Sequence, residues 1–213
     1  MKTRIKICGL RRAEDIAYVN EAGPDFAGFV IHVPKSHRNV SAGQARELSA
    51  MLAPDICPVG VFVNEPEETV ARLLNDGVIR LAQLHGQEDE AYIRRLRGLT
   101  DGPLIQAFSI RRKEDLDRAM QSSADYILLD HGRGGTGSAF DWGLVEAVER
   151  PWFLAGGLDC GNLAGAIGRL HPWAVDLSSG VERDGWKDRE KIKQAVALAH
   201  GLCGSADGGR PSV

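Results

Sequence analysis

Five positions, far apart in the chain, carry side chains able to move protons or hold anions. Cys8 closes the apolar run Arg4–Cys8, and Asp130 closes Tyr126–Leu129. Asp176 sits in Trp173–Leu177, and His85 follows Ile79–Leu84. Arg38 lies in the loop His32–Val40, which also carries Lys35 and His37. Glycine-bearing turns follow the last two runs, Gly156-Gly157 after Trp152–Ala155 and Ser179-Gly180 after Trp173–Leu177. A thiol and a carboxyl on opposite sides of a sugar make an acid/base pair suited to proton transfer between adjacent carbons. Short glycine turns aim backbone N–H groups at an anion, and a guanidinium fork matches a carboxylate.

Each residue also has a plainer reading. Cys8 could be a half-buried core thiol, since its unperturbed pKa of about 8.5 leaves it protonated without help; Lys6, on the same strand face, could lower that value. Asp130 and Asp176 could cap helices or pair with Arg133 or Lys35, and Arg38 could be a solvated loop charge. His85 could be a structural histidine, and the glycines could serve only tight turns. His200 and its helix face read as surface.

The elements that would position these groups alternate regularly. Apolar runs at Arg4–Cys8, Phe26–Ile31, Pro58–Val63, Ile79–Leu84, Leu104–Phe108, Tyr126–Leu129, Trp152–Ala155 and Trp173–Leu177 read as strands. Helical patterns follow them. The first is Ala13–Glu21, with Ile16 and Val19 on its stripe. The second is capped by Ser41 and buries Leu48, Met51 and Leu52. The third opens with an Asn64/Glu67 capping box. Others are Glu88–Arg97, Lys113–Met120, a helix opened by Asp141 with Leu144, Val145 and Val148, one holding Leu163, Ile167 and Leu170, and Arg189–His200. Eight such units predict an α/β fold, a single (β/α)8 TIM barrel, with a doubly wound open sheet as the alternative. In a barrel every strand's C-terminal end meets at one mouth, so the scattered residues would converge. The turns after strands 7 and 8 are the expected phosphate site, and the loop Gly134–Gly137, with Gly135, could close a third side. The expected domain is 1–203, followed by a small polar tail, 204–213, expected to be disordered.

Bulk composition narrows the partners. A net charge of −3 gives no electrostatic case for nucleic acid or an anionic membrane. Cys8, Cys57, Cys160 and Cys203 show no CxxC spacing, and no His/Asp/Glu set has metal-ligand spacing, so no metal is expected. The start lacks a signal-like apolar segment, which points to the cytoplasm. The chain is expected to act as a monomer or a homodimer.

Taken together in order, the strings resemble the phosphoribosylanthranilate isomerase family of tryptophan biosynthesis. They are Lys6-Ile7-Cys8-Gly9-Leu10, Val59-Gly60-Val61-Phe62-Val63-Asn64, Gln83-Leu84-His85-Gly86, Leu128-Leu129-Asp130, Gly134-Gly135-Thr136-Gly137, Phe140-Asp141-Trp142, Leu154-Ala155-Gly156-Gly157-Leu158 and Asp176-Leu177-Ser178-Ser179-Gly180-Val181-Glu182. The resemblance implies a cofactor-free Amadori rearrangement of N-(5-phosphoribosyl)anthranilate to 1-(2-carboxyphenylamino)-1-deoxyribulose 5-phosphate. It implies Asp130 as general acid, Cys8 as general base, Arg38 on the anthranilate carboxylate and Asp176 on a ribose hydroxyl. It places the phosphate on the backbone around Gly156, Gly157, Ser179 and Gly180. Two departures stand out: Ser36-His37-Arg38 replaces the usual Ser-Pro-Arg, and Val30-Ile31-His32-Val33 lacks the usual aromatic. A histidine-pathway sister isomerase would carry a carboxylate pair where this chain has Cys8. A non-catalytic phosphometabolite-binding barrel is the remaining alternative.

Overall fold

The computed structural model describes residues 2–130, 145 and 148–201. Its strands are β1 (Arg4–Cys8), β2 (Phe26–Ile31), β3 (Asn39–Val40), β4 (Cys57–Phe62), β5 (Leu81–Leu84), β6 (Leu104–Ser109), β7 (Tyr126–Asp130), β8 (Trp152–Ala155) and β9 (Ala174–Leu177). All of them pair in parallel, in the order β1-β9-β8-β7-β6-β5-β4-β2, and β1 pairs with β2 to close the ring. Eight strands thus form a barrel, and β3 is a two-residue extension beside β2. The open-sheet alternative is excluded by the β1–β2 closure.

Strand alternation divides each strand between two cores. Ile5, Ile7, Phe29, Ile31, Leu84, Ile127, Leu129 and Leu154 point outward and pack under the helices. Those helices are α1 (Ala13–Ala22), α2 (Ala42–Ala50), α3 (Glu67–Asn75), α4 (Glu90–Arg97), α5 (Lys113–Met120), α6 (Leu163–Leu170) and α7 (Arg189–Ala199). Phe26, Val59, Leu81, Ile105, Leu128, Phe153 and Ala174 point inward and fill the barrel. Near the strand N-termini this interior is an aromatic plug. The Trp173 ring lies 4.7 Å from that of Tyr126, 5.3 Å from Phe153 and 5.8 Å from Phe26. Nearer the C-terminal ends the inward positions turn polar: Lys6, Cys8, Gln83, Asp130 and Asp176.

Helix starts are written into the sequence. Ser41 accepts from the Gln44 N–H while the Gln44 side chain accepts from the Ser41 N–H, the expected cap of α2. One capping device occurs twice, in Arg11-Arg12-Ala13-Glu14-Asp15 and Arg111-Arg112-Lys113-Glu114-Asp115. In each, one aspartate Oδ2 accepts from both arginine N–H groups, at 3.0 and 3.2 Å, before α1 and α5.

Several local expectations are corrected. Asn64 does not cap α3. It adopts a left-handed φ of 54°, its N–H donates to Glu88 and its Oδ1 accepts from Gln87, tying the loops after β4 and β5 together. Pro66 stands at the helix start instead. Ile79 precedes β5 because its N–H, like that of Val78, folds back onto the Leu73 carbonyl at the end of α3. Met51 follows α2 and is 49% exposed rather than buried. His200 is not surface: its side chain is 9% exposed and meets Asp25 at 2.8 Å. A hairpin, β10 (Glu182–Arg183) with β11 (Trp186–Lys187), had no counterpart in the sequence reading. Asp141, Leu144, Gly135, Arg133 and the tail 204–213 lie outside the described residues; Val145 is buried.

Candidate active site

The C-terminal mouth of the barrel opens into a cavity of about 580 Å³, within the range of small-molecule sites. Cys8, Arg38, His85, Asp130, Asp176, Gly156, Gly157 and Ser179 all border it. The convergence expected from the barrel is therefore realised for residues from β1, β5, β7, β8, β9 and the loop after β2. Gly180 borders a separate outer hollow. A Cβ added at Gly180 would lie 1.9 Å from the Leu158 carbonyl oxygen, so only glycine lets the turn after β9 rest on the turn after β8. Gly156 and Gly157 turn the chain with φ of 93° and 67°, in the left-handed region that favours glycine.

The thiol end is built on β1. Cys8 is 8% exposed and Lys6 is fully buried two residues earlier. A Cβ added to Gly28 on β2 would meet the Cys8 Sγ at 2.9 Å and the Lys6 Cε at 3.1 Å, so both side chains lie across this bare glycine. Lys6 Nζ bonds Asp176 Oδ2 at 2.9 Å; the aspartate's ion-pair partner is Lys6, not Lys35. Burial pushes the Cys8 thiol above its ordinary pKa. The Lys6 ammonium opposes that shift and the Asp176 charge adds to it. The expectation that Lys6 lowers the value holds for its own contribution, but burial wins.

The acid end is built on β5 and β7. Gln83 Nε2 lies 2.9 Å from His85 Nδ1. The amide donates, so the imidazole keeps its proton on Nε2, the nitrogen 3.8 Å from Asp130 Oδ2. Asp130 is 26% exposed at its side chain, open to the cavity. Two buried acceptors bordering the cavity, Gln83 Oε1 and Asp176 Oδ1, have no hydrogen-bond partner among the described residues. Buried polar atoms are nearly always satisfied, so both oxygens are candidate acceptors for ligand donors.

Arg38 supplies the cation. Its Nε and Nη2 bond Glu182 Oε1 and Oε2, both at 2.7 Å. Lys187 Nζ reaches Glu182 Oε1 at 2.7 Å and the Ser178 carbonyl at 2.9 Å. Burial alone would raise the Glu182 pKa, but the bonds from Arg38 and Lys187 hold it down at about 2. The sequence reading assigned no role to Gln83, Glu182 or Lys187. Gln83 had a usable signal, because it stands two strand positions before His85 and so on the same face. Glu182 had none, since its partner Arg38 is 144 residues away.

Among the described residues, no group of three or more His, Cys, Asp or Glu side chains could hold a metal ion. No helix among them is long and apolar enough to cross a membrane.

A family model described as N-(5'phosphoribosyl)anthranilate (PRA) isomerase matches residues 5–197. The N-(5'-phosphoribosyl)anthranilate isomerase of Endomicrobium trichonymphae is 43% identical over 203 residues, covering 93% of this chain and 99% of that protein. The crystal structure of phosphoribosyl anthranilate isomerase from Thermotoga maritima superposes with a TM-score of 0.85 at 37% identity, over 94% of this chain and all of that one. A second structure of such an isomerase, in complex with reduced 1-(o-carboxyphenylamino)-1-deoxyribulose 5-phosphate, gives 0.82 at 36% identity over the same shares. With its closed barrel and its ordered motifs, this chain belongs to the N-(5'-phosphoribosyl)anthranilate isomerase family, enzymes of tryptophan biosynthesis.

Proposed function

We propose that the chain converts N-(5'-phosphoribosyl)anthranilate to 1-(2-carboxyphenylamino)-1-deoxyribulose 5-phosphate by general acid/base catalysis, with Asp130 as acid and Cys8 as base. The observation that carries this reading is that a thiol on β1 and a carboxyl on β7 border one cavity that also holds a cation and two unsatisfied acceptors. Asp130 gives a proton to the ribose ring oxygen as the C1'–O bond breaks, leaving an open-chain Schiff base on the aryl nitrogen. Cys8 then takes the C2' proton, and its electron pair flows toward the iminium nitrogen to form an enolamine. Reprotonation at C1' yields the aminoketose. No atom is gained or lost, so the chemistry needs no redox partner.

The base has to be a thiolate. Burial holds Cys8 protonated at rest, while Lys6 favours the anion. Arg38 holds the anthranilate carboxylate through its Nη1 side, since Glu182 occupies the Nε/Nη2 edge. Asp176 Oδ1 takes a ribose hydroxyl, and the turns at Gly156-Gly157 and Ser179-Gly180 take the phosphate. Clamping both anionic ends holds the sugar between thiol and acid. The protein-side proton on His85 Nε2 keeps that imidazole a donor beside Asp130 and the sugar. We assign the whole activity to one barrel domain, residues 1–203, in the cytoplasm, as a monomer or homodimer; a dimeric relative is described from Thermotoga maritima.

The test follows the fluorescence of freshly made phosphoribosylanthranilate with chelator present. Rapid decay to the aminoketose is expected. Cys8→Ala and Asp130→Asn should each lower kcat at least ~10²–10⁴-fold, the usual worth of a positioned acid or base, while the fold persists. Near-normal turnover in either variant would remove that residue from its role. Tight ligand binding by wild type without turnover would instead support a binding barrel.

A further inference from the structure

We propose that Glu182 is a positioning residue for substrate recognition: it grips one edge of the Arg38 fork so that the other edge is presented to an incoming carboxylate. The inference rests on the function proposed above. Arg38 borders the cavity, whereas Glu182 and Lys187 do not. The two 2.7 Å bonds engage Nε and Nη2, and among the described residues no hydrogen bond engages Nη1. An unrestrained arginine on a loop would lose rotamer freedom when it bound a ligand. Here that ordering is already done.

The rest of the surroundings fit a fixed mount. The Arg38 stem lies flat on the turn after β1, where a Cβ on Gly9 would fall 2.3 Å from Arg38 Cδ. Glu182 is 8% exposed at its side chain and Lys187 is 2% exposed; the two face each other across the β10–β11 hairpin. The Lys191 ammonium bonds the Glu182 carbonyl at 2.7 Å. Arg11 bonds the carbonyls of both His37 and Gly185, so one guanidinium joins the Arg38 loop to the hairpin. Trp186 lies against Arg11 and Arg12, at 3.9 and 4.2 Å from ring centre to guanidinium carbon.

Charge explains why the mount includes a lysine. A lone Glu182 would neutralise Arg38 and repel an anionic ligand. With Lys187 included, the three-residue cluster keeps one net positive charge, so the cavity still attracts a carboxylate. Selectivity for the carboxylated aryl group is then a property of three residues, two of which do not reach the ligand.

Calorimetry with two ligands tests this: the reduced aminoketose phosphate carrying the o-carboxyphenyl group, and the same compound with phenyl in its place. Glu182→Gln should weaken the carboxylated ligand about tenfold, ~1.4 kcal/mol, and leave the phenyl ligand within about twofold, and KM should rise with little change in kcat. The double variant Arg38→Met/Glu182→Gln should bind the carboxylated ligand no more weakly than Arg38→Met alone. Equal losses on both ligands, or additive losses in the double variant, would reduce Glu182 to a structural ion pair and overturn the proposal. A second readout needs no substitution: in unliganded wild type the Arg38 Nε–H should exchange with solvent far more slowly than those of exposed arginines. Equal exchange overturns the mount. If wild type bound neither ligand, the proposed substrate would fall, and the exchange contrast would still decide whether Arg38 is held.

Discussion

Gly28→Ala places a single methyl group where the site has no room for one, and its effect can be worked out from distances. The new Cβ would stand 2.9 Å from the Cys8 Sγ, 3.1 Å from the Cys8 Cα and 3.1 Å from the Lys6 Cε, whereas ordinary contact starts near 3.4 Å. The sulfur must therefore retreat by about 0.5 Å (3.4 − 2.9) and the other two atoms by about 0.3 Å (3.4 − 3.1). The strands cannot simply spread, because the Gly28 carbonyl accepts from both the Gly9 and Leu10 N–H groups, at 2.9 and 3.0 Å. Cys8 and Gly28 are also register partners in the ladder that closes the barrel. The Cys8 backbone has little room to give, so most of the adjustment falls on the thiol and the Lys6 stem, and the thiol rotates off its proposed line to the sugar. Overpacking of this kind costs about 1–3 kcal/mol of stability. Misplacement by about 1 Å costs on the order of 10²-fold in rate, so half of that predicts roughly a tenfold fall in kcat. KM should stay close to wild type, because the proposed carboxylate and phosphate clamps are untouched. Steady-state kinetics and denaturant unfolding measure both terms. A folded Gly28→Ala enzyme with kcat within about twofold of wild type would refute the placement of Cys8 as the base.

Three other perturbations probe the same framework. Lys6→Met leaves the Asp176 carboxylate buried without its ion-pair partner; unfolding free energy should drop about 3–5 kcal/mol, and an unchanged value would mean that the pair does not matter to folding. Because burial raises the Cys8 pKa, the native state holds its thiol proton to higher pH than the unfolded chain does. Iodoacetamide should therefore alkylate Cys8 more slowly than a peptide thiol at pH 8, accelerating as pH rises through and beyond the ordinary thiol value; faster alkylation than the peptide would reverse the sign of the argument. Gly180→Ala drives a methyl into the Leu158 carbonyl at 1.9 Å, so the two glycine turns must part; KM should rise about tenfold or more, with kcat less affected, and a wild-type KM would move the phosphate elsewhere.

The framework was legible because it is periodic. β1, β2, β8 and α5 fall at the residues that alternation and helical spacing indicate, since one face of each meets a core and the pattern must follow. The catalytic candidates were legible for a topological reason: a closed parallel barrel brings strand ends together whatever their separation in the chain. What stayed hidden depends on pairings between distant loops. Glu182 and Arg38, or Asn64 with Gln87 and Glu88, have no local pattern, because the partner is chosen by loop geometry rather than by period. The hairpin β10–β11 was hidden for a related reason. Its strands are two residues each, too short for alternation to register, and it turns through Asp184 and Gly185 at φ of 53° and 77°. His200 misled in the opposite direction: a polar residue at the end of a helix reads as surface unless its aspartate partner is known.

The two halves of the barrel interior are opposites, and the contrast says how the fold tolerates its site. Unsatisfied buried acceptors such as Gln83 Oε1 and Asp176 Oδ1 cost about 1–3 kcal/mol each, and burying Lys6 with Asp176 contributes little net stability. The polar mouth is thus a destabilising half. The aromatic plug below it compensates, because edge-to-face contacts such as Phe26 with Phe153 at 5.4 Å add about 0.5–1.5 kcal/mol beyond the area they bury. Parallel strands transmit that rigidity upward: Lys6 pairs with Phe26 and with Asp176, so the strands that carry the charged pair are held in register beside the plug. A ligand with two hydroxyl donors could bond both acceptors at once. Polar groups that weaken folding at the mouth are therefore available for binding, and the plug offsets their cost.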